Sequence, residues 1–244
     1  AGDALQDDSN NVAVGNDSMT DLQTDNCVAV GYGSMFAATT STRTTAVGRG
    51  SFGNAVLTGN DNTALGHQAG YETTSGAQNT LIGSQAGDAY TTGSANVVIG
   101  YNAAGATVSA GNEIVIGANA NGNGSNKITL GDTNIISFHC QVQNIVAISD
   151  ERDKKDIEDS TYGLEYLESL RPVTFEWDQR DGNRKGLKDL GFIAQEMQGK
   201  DDEYTRLVES SNPDKLQASY GRLIPILVKA IQDLSEEVKQ LKNK

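Results

Sequence analysis

Side chains that could do chemistry are scarce in this chain of 244 residues. His67 and His139 lack a partner at the spacing of a metal site or of a histidine-based catalytic triad. Asp132 and the other scattered aspartates do not form an acidic loop dense enough for Ca²⁺. The glycines follow a structural period and do not form a phosphate-binding loop. The sequence therefore predicts no metal site, no cofactor and no histidine-based catalysis.

One segment, residues 149–157 with the sequence SDERDKKDI, concentrates reactive and charged side chains. Its simplest interpretation is a helix N-terminus, capped by Ser149 or Asp150, with acidic residues in the first turn. A serine hydroxyl can also act as a nucleophile when a base takes its proton, and a lysine serves as that base only where burial lowers its pKa. On residue types alone, the helix cap is the favoured interpretation.

Charge and cysteine content exclude several classes of protein. The net charge of −13 argues against non-specific binding to nucleic acid or to an anionic membrane. No run approaches 18 apolar residues and no signal peptide opens the sequence, so we expect no membrane insertion. Cys27 and Cys140 are too few for a disulfide framework, and we expect both to be buried as small apolar residues.

The elements that position these residues begin with a short phrase repeated eight times: a polar residue, two or three small or β-branched residues, then Gly. The glycines are Gly15, Gly31, Gly48, Gly66, Gly83, Gly100, Gly117 and Gly131, spaced by 16, 17, 18, 17, 17, 17 and 14 residues. A short period indicates a stacked architecture, because one repeat cannot bury its own apolar face. Each copy predicts one β-strand closed by a glycine turn.

The phrase also predicts which face of each strand is buried. The residue before each Gly is always branched and aliphatic, as in Val14 and Ile82, so we expect this row to point inward. The preceding residue is Ala in the first four copies and larger in most later ones, so we expect it to point the other way, with a taper along the axis. A further small-residue step, such as residues 33–35, predicts a second short strand per repeat.

Composition changes sharply near residue 148 and indicates two domains that fold differently. Residues 1–148 hold 11 acidic residues, 3 basic residues and 21 of the 27 glycines. Residues 149–244 hold 21 acidic residues, 16 basic residues and all three prolines. Because the first part has few large apolar side chains, we expect stacked hydrogen bonds and other copies of the chain to stabilise it.

The repeats resemble those of phage tail-fibre proteins. The stretches 62–71 (NTALGHQAGY) and 79–87 (NTLIGSQAG) carry this resemblance. More loosely, they are similar to the left-handed trimeric β-roll heads of bacterial trimeric adhesins. The resemblance implies a fibrous surface-attachment protein and a trimeric β-solenoid, without implying a particular receptor.

The last 96 residues resemble the intramolecular chaperone auto-processing domain, the self-cleaving C-terminal domain of endosialidase-type phage tailspikes and tail fibres. The opening segment 149–157 is the first match. Residues 164–177 read as a helix stopped by Pro172 and followed by an alternating strand. Residues 190–197 (LGFIAQEM) match the most recognisable phrase of the family, and residues 220–232 match its terminal helix.

This resemblance implies a self-cleavage reaction, because members of the family cut the peptide bond before the first Ser of the opening motif. The scissile bond would join Ile148 to Ser149, with Ser149 as nucleophile and Lys154 as supporting base, ahead of Lys155. Residues five apart do not face each other on a helix. Either Ser149 precedes the helix, or Lys154 acts on Ser149 of a neighbouring chain, and the sequence leaves both open.

The terminal helix carries a heptad seam. Its members are Tyr220, Ile224, Leu227, Ile231, Leu234, Val238 and Leu241. Ile and Val alternating with Leu favour a two-stranded coil by simple rules, whereas Val228 and Ala230 widen the apolar stripe in the way that suits three strands. We expect a homotrimer, because the family resemblance and the wide stripe agree.

The predicted architecture is a mainly β N-terminal trimeric β-solenoid of about 17-residue repeats, followed by a small α+β domain ending in a coiled-coil helix. We place the solenoid at 1–134, a connecting strand at 135–148 and the chaperone domain at 149–244. The connecting strand is predicted from the alternation of Ile136, Phe138, Cys140 and Val142.

The predicted function is host attachment by a virion tail fibre that is assembled in the host cytoplasm and binds a cell-surface receptor, a glycan or an outer-membrane component. If one chain slips by one repeat, most contacts between chains are kept, so the repeats do not define one alignment. We therefore expect the C-terminal domain to align three chains. We expect it to cleave itself once afterwards. One alternative is a non-cleaving trimerisation domain on a bacterial adhesin or structural fibre. Another is a receptor-modifying enzyme, because a carboxylate pair can come from anywhere in a fold.

Overall fold

The structure, a computed structural model, describes residues 10–21, 25–135, 137–139, 141, 146–180, 182 and 184–243. The chain divides into two compact units, Ala1–Ser137 and Phe138–Lys244. The first unit is a β-solenoid, and the second is a small α+β unit that ends in a helix. The predicted fold class is confirmed at this level.

One three-residue strand per repeat builds the solenoid. The strands are β1 (Val12–Val14), β2 (Val28–Val30), β3 (Thr45–Val47), β4 (Thr63–Leu65), β5 (Thr80–Ile82), β6 (Val97–Ile99), β7 (Ile114–Ile116) and β8 (Ile128–Leu130). They form one sheet in chain order, each parallel to the next. The register pairs equivalent positions, as in Ala13 with Ala29 and Ala29 with Ala46. The period of about 17 residues therefore corresponds to one coil.

The expectation that the residue before each Gly points inward is wrong. The central residue of the strand is the buried one, as at Ala29, Ala46 and Leu81. The residue before Gly lies on the outer face with the first residue of the strand, and Leu65 is 48% exposed. Side chains alternate along a strand, so the phase of the alternation decides which row is buried.

A buried asparagine row sets that phase. Asn62, Asn79 and Asn96 immediately precede their strands and are buried. The Oδ1 of Asn62 accepts from the Asn79 backbone N–H at 2.9 Å, and the Oδ1 of Asn79 accepts from the Asn96 N–H at 3.0 Å. Their Nδ2 groups donate to carbonyls of the next coil at 2.8 and 2.9 Å. The hydrogen-bond partners of the asparagine side chains lie inside the solenoid, so these side chains point inward. The residue two positions further along the chain lies on the same face and is buried as well.

The prediction of a second strand in each repeat is also wrong, because the step after the strand Gly is a turn. Met35 has φ +50°, a left-handed conformation that a strand does not accept, and its side chain is buried. The strand glycine itself is required by close packing. At Gly48, with φ +135°, a Cβ would lie 2.3 Å from the carbonyl oxygen of Gly66 in the next coil.

The increase in inward side-chain size is offset within the fifth coil. In the second and third coils the strand contributes Ala and the turn contributes a large buried residue: Met35 accompanies Ala29 and Phe52 accompanies Ala46. The fourth coil combines Ala64 with Gly70, and the Phe52 and Leu81 side chains occupy the space beside Gly70. Where the strand contributes Leu81, the equivalent turn position is Gly87. A Cβ at Gly87 would lie 2.7 Å from Leu81 Cδ2, so Leu81 occupies that space. In the fifth coil a large strand residue is therefore matched by a small turn residue. The taper along the axis stays a prediction.

The second unit combines short helices with two antiparallel hairpins. Its elements are α1 (Leu164–Glu168), β9 (Val173–Glu176), β10 (Lys188–Gly191), α2 (Ala194–Gln198), β11 (Val208–Glu209), β12 (Gln217–Ala218) and α3 (Leu223–Lys242). β9 pairs with β10, and β11 pairs with β12. Its core contains Leu170, Met197, Leu207, Leu223 and Ile226. As predicted, α1 ends before Pro172 and a strand follows.

The connecting strand over 135–148 stays a prediction. Ile136, Cys140 and Val142 lie outside the described residues. The described residues between 137 and 148 are assigned no strand. Cys27, in contrast, is buried in the solenoid core as predicted.

Candidate functional site

The segment that carries the predicted cleavage site forms a tight turn. A 3-10 helix spans Glu151–Asp153, and Asp150 caps it by accepting from the Arg152 backbone N–H at 2.9 Å. The chain becomes extended again at Lys154, with φ −125° and ψ 150°. Asp150 is thus a helix cap, as the simplest interpretation proposed, but the helix lasts only three residues.

The turn brings Ser149 and Lys154 of one chain together. Lys154 Nζ lies 2.8 Å from Ser149 Oγ and 3.1 Å from the Ser149 carbonyl oxygen, and donates to both. Residues five apart do not face each other on a continuous helix. Here Ser149 precedes the 3-10 helix and Lys154 follows it, so the two side chains can meet. The contact lies within one chain and needs no neighbour.

Asp150 and Arg152 hold the turn in shape. Arg152 Nε and Nη2 lie 3.0 and 2.6 Å from the two carboxylate oxygens of Asp150. The Arg152 guanidinium holds the pKa of the Asp150 carboxyl below its usual range, mainly through these hydrogen bonds. Because both side chains are solvent-exposed to a large extent, we attribute a geometric role to the pair and little net stability.

Access to the predicted scissile bond is open. Ile148 is 89% exposed, and Ser149 and Lys154 are both exposed. Lys155 lies 4.0 Å from Asp156 Oδ2, whereas Lys154 is the lysine that contacts Ser149. The single chain therefore supplies the position of a nucleophile and a candidate base, but not the buried surroundings that a neutral lysine needs.

Comparison with known proteins agrees with this location. Residues 149–203 match the family described as chaperone of endosialidase. The chain is similar to this family over that segment. The match begins at Ser149, the residue that follows the predicted scissile bond. The resemblance stated from the opening segment and from LGFIAQEM at 190–197 is confirmed.

Two curated relatives are the long tail fiber protein Gp37 of Enterobacteria phage M1 and that of Enterobacteria phage Ox2. Each is 33% identical to this chain over 91 residues. The match covers 37% of this chain and 36% of each relative, so the chain spans about a third of their length. No solved structure matches the chain.

The chaperone domain is tied to the terminal helix α3 by specific polar contacts. Asp233 Oδ2, on α3, accepts from the Leu164 N–H at the start of α1 at 3.1 Å. Lys229 forms an ion pair with Asp233 and lowers the pKa of that carboxyl. Within the domain, Arg171 Nε donates to Glu196 Oε2 at 3.0 Å, which joins the end of α1 to α2. The helix outside the family match is therefore part of the same packed unit.

α3 has two apolar faces, and only one of them is covered in the single chain. Leu223, Ile226 and Ala230 are buried against the unit. Six of the seven members of the predicted heptad seam lie on α3 and are exposed large apolar residues. The seventh, Tyr220, precedes α3, and its ring packs against Phe192. The seam is continuous along the helix and lies at positions that a neighbouring helix would cover.

Three other features concern possible sites: metal binding, membrane insertion and a cavity on the solenoid. Among the described residues, no group of three or more His, Cys, Asp or Glu side chains could hold a metal ion. In that same part of the chain, no helix is both long and apolar enough to cross a membrane. The solenoid also has an open cavity that was not predicted from the sequence. The sequence feature that indicates it is Gly in two successive repeats, Gly33 and Gly50, at a position that otherwise carries polar side chains.

Proposed function

We propose that this chain is part of a phage tail fibre in the virion, that three copies associate, and that the chain cleaves itself between Ile148 and Ser149. The observation that carries the proposal is the 2.8 Å contact between Lys154 Nζ and Ser149 Oγ at the first residue of the family match. The similarity to long tail fibre proteins supports the place in the virion. Assembly in the host cytoplasm follows from that role.

The cleavage would be an acyl shift followed by hydrolysis. Lys154, once neutral, takes the hydroxyl proton of Ser149 while Ser149 Oγ bonds to the carbonyl carbon of Ile148 through a five-membered ring. The C–N bond then breaks, and the proton passes to the Ser149 nitrogen. Water hydrolyses the resulting ester, which leaves a carboxylate on Ile148 and a free Ser149 amine and hydroxyl. The reaction consumes one water and runs once per chain, so no external substrate is turned over.

Association of three chains would be driven from the C-terminal end. The uncovered heptad seam of α3 is the supporting surface, and Val228, which is also exposed, widens it in the way that suits three strands. The outer row of the solenoid strands is also apolar, as at Val14 and Leu65. Both units therefore present apolar surface for further copies of the chain to bury.

A folding template explains why the two units belong to one chain. The solenoid repeats are nearly equivalent, so chains misaligned by one coil would be almost as stable as aligned ones. Pairing between chains is also slow and exposes strand edges. Trimerisation of the C-terminal unit would set the alignment, and later cleavage would leave a fibre held by a high unfolding barrier.

The test of cleavage is a denaturing gel of the full chain combined with mass spectrometry. We expect fragments of 148 and 96 residues and a new N-terminus at Ser149. Ser149→Ala and Lys154→Ala should each give a single uncleaved band. The matched control Lys155→Ala removes one neighbouring lysine and should cleave as the unchanged chain does. Cleavage that persists in Ser149→Ala would overturn the proposal.

The same samples test the alternative, a non-cleaving trimerisation domain on a bacterial adhesin or structural fibre. An intact wild-type chain that is trimeric by light scattering would favour that alternative. Single or paired chains would contradict both. A receptor-modifying enzyme is tested by a glycan-degradation assay, which we expect to show no product.

A further inference from the structure

The solenoid carries an open cavity of about 220 Å³ that reaches across the first four coils. Its walls are three aromatic rings and three polar side chains, and we call it the aromatic cavity. The side chains are Asp17, Tyr32, Phe36, Arg49, Gln68 and Tyr71. None of them belongs to the cleavage site in the second unit. The proposed self-cleavage therefore gives this cavity no role.

The cavity exists because two glycines replace side chains in one row of the solenoid. The row is the second residue after each of the first seven strand glycines, with φ between 52° and 66°: Asp17, Gly33, Gly50, Gln68, Gln85, Asn102 and Asn119. Five of the seven carry a polar side chain at the same left-handed φ, so the backbone does not require glycine. A Cβ at Gly33 would meet nothing within 4 Å, and one at Gly50 would make an ordinary 3.5 Å contact with Tyr71.

Gly53, in contrast to Gly33 and Gly50, is required by the packing of the backbone. At Gly53, which forms part of the cavity wall, a Cβ would lie 2.7 Å from the carbonyl oxygen of Gly33. Close approach of the backbone therefore explains Gly53, whereas packing does not explain Gly33 or Gly50. The two glycines instead leave room beside the rings, which is what a ligand needs.

The chemistry of the walls selects the class of ligand. Tyr32 is 55% exposed and Phe36 is 42% exposed, so both rings present apolar faces to solvent at the cavity. The Arg49 guanidinium lies 5.8 Å from the centre of the Tyr32 ring. Arg49 and Gln68 can donate to hydroxyl oxygens, and Asp17 can accept from hydroxyls. A sugar ring offers this combination: an apolar C–H face for an aromatic ring and hydroxyls around its edge.

The charge and the size of the aromatic cavity indicate which sugars it would bind. One guanidinium and one carboxylate line the cavity, so its formal charge is balanced and favours a neutral sugar over a phosphate or an acidic sugar. Pockets that bury a drug-sized ligand typically have volumes of about 300–1,000 Å³. The aromatic cavity is smaller, and its size suits one ring of a longer glycan. We propose that the aromatic cavity binds a neutral hexose or N-acetylhexosamine unit of a cell-surface glycan. This inference rests on the proposed place in a phage tail fibre and on the host attachment that the sequence predicts, and it names the receptor class.

The cavity would bind the glycan without cutting it. Glycoside hydrolysis generally requires two carboxyl groups flanking the scissile bond. Of the described residues that line the cavity, Asp17 alone carries a carboxylate. The expected role is therefore recognition of an intact glycan.

The test is saturation-transfer difference NMR on the full chain with the methyl glycosides of glucose, galactose, mannose, N-acetylglucosamine and N-acetylgalactosamine. We expect transfer from protein to the ring protons of at least one glycoside. The double variant Gly33→Gln, Gly50→Gln fills the cavity with a side chain that Gln68 and Gln85 already carry in this row, so it should fold and lose the signal. The matched control Asn102→Gln enlarges a side chain of the same row outside the cavity and should keep the signal.

Three outcomes would overturn the inference: no transfer to any of the five glycosides, transfer that persists in the filled variant, or loss of the oligomer in the filled variant. The last outcome would make the cavity a contact between copies. Light scattering and the denaturing gel on the same samples separate this inference from the proposed function. A trimeric, self-cleaving chain that binds no sugar overturns the cavity alone, whereas a monomeric, uncleaved chain that binds sugar overturns the trimer and its cleavage.

Discussion

At the scale of single residues, Glu113 shows how the solenoid accommodates a buried carboxyl group. It occupies the position of the buried asparagine row in the seventh coil and is fully buried. Its Oε2 accepts from the Tyr90 hydroxyl at 2.9 Å and from the Ala106 N–H at 3.2 Å, and its Oε1 accepts from the Gly124 N–H at 2.9 Å. These three donors replace water around the carboxyl group, which is the condition for burying it.

The Tyr90 contact gives a prediction about pH. Burial, and next the hydrogen bond to Glu113, raise the pKa of Tyr90. In the unfolded chain tyrosine ionises near pH ~10, so the stability that Tyr90 contributes is complete below that pH and is lost as the pH rises further. We expect the melting temperature of the solenoid, measured by circular dichroism, to fall as the pH rises above about 10. The fall should be smaller in Tyr90→Phe.

The control for this prediction is Tyr101→Phe, which removes a hydroxyl from a tyrosine that is exposed. It should keep the pH dependence of the unchanged chain, because it leaves the contact of Tyr90 with Glu113 in place. Equal pH dependence in Tyr90→Phe and Tyr101→Phe would contradict the assignment to Tyr90.

At the scale of elements, the fifth coil of the solenoid balances the large strand residue Leu81 against the turn residue Gly87. Leu81→Ala should lower the free energy of unfolding by about 2–5 kcal/mol, because it opens a cavity in the core. Adding Gly87→Met should recover part of this loss, because it recreates the pairing of Ala29 with Met35. The backbone permits the change, since Gly87 has φ +57° and Met35 has φ +50°. Thermal unfolding of the single and double variants measures both effects.

The control for the coil prediction is Leu65→Ala, on the outer row of the neighbouring strand β4. Within a single chain this side chain is 48% exposed, so its loss should cost less than the loss of Leu81. Failure of Gly87→Met to recover any stability lost in Leu81→Ala would show that the two positions do not share one space.

The two faces of α3 make opposite predictions. Ile231 is 66% exposed on the heptad seam, and Ile231→Asp should dissociate the oligomer while leaving the second unit folded. Ile226 is 5% exposed in the core of that unit, and Ile226→Ala should cost about 2–5 kcal/mol of its folding free energy. Light scattering reports the first change and thermal unfolding the second. An unchanged oligomer in Ile231→Asp would show that the seam is not the contact between chains.

At the scale of the whole molecule, the repeat unit is expected to depend on the unit that follows it. Residues 1–148 expressed alone should give aggregates or single chains, because near-equivalent coils do not define one alignment. The uncleaved chain carrying Ser149→Ala is the control and should remain soluble and trimeric. Soluble, thermostable trimers from residues 1–148 alone, seen by light scattering and melting, would contradict the template role.

The sequence by itself determined the features that depend on local order. The period of the glycines located eight strands. The end of α1 before Pro172 and the strand after it were equally predictable, because proline removes a backbone donor and fixes φ. The opening segment 149–157 and the phrase at 190–197 were enough to indicate the chaperone domain.

Only the tertiary structure decided features that depend on how distant residues meet. In the fourth to sixth coils the buried row of the strand follows from hydrogen bonds between asparagines of successive coils, as from Asn79 to Asn62, which no single repeat reveals. The contact of Lys154 with Ser149 depends on a three-residue 3-10 helix between them. The aromatic cavity depends on stacking residues 16 to 18 positions apart, because Gly33 and Gly50 leave open space only when their coils are placed side by side.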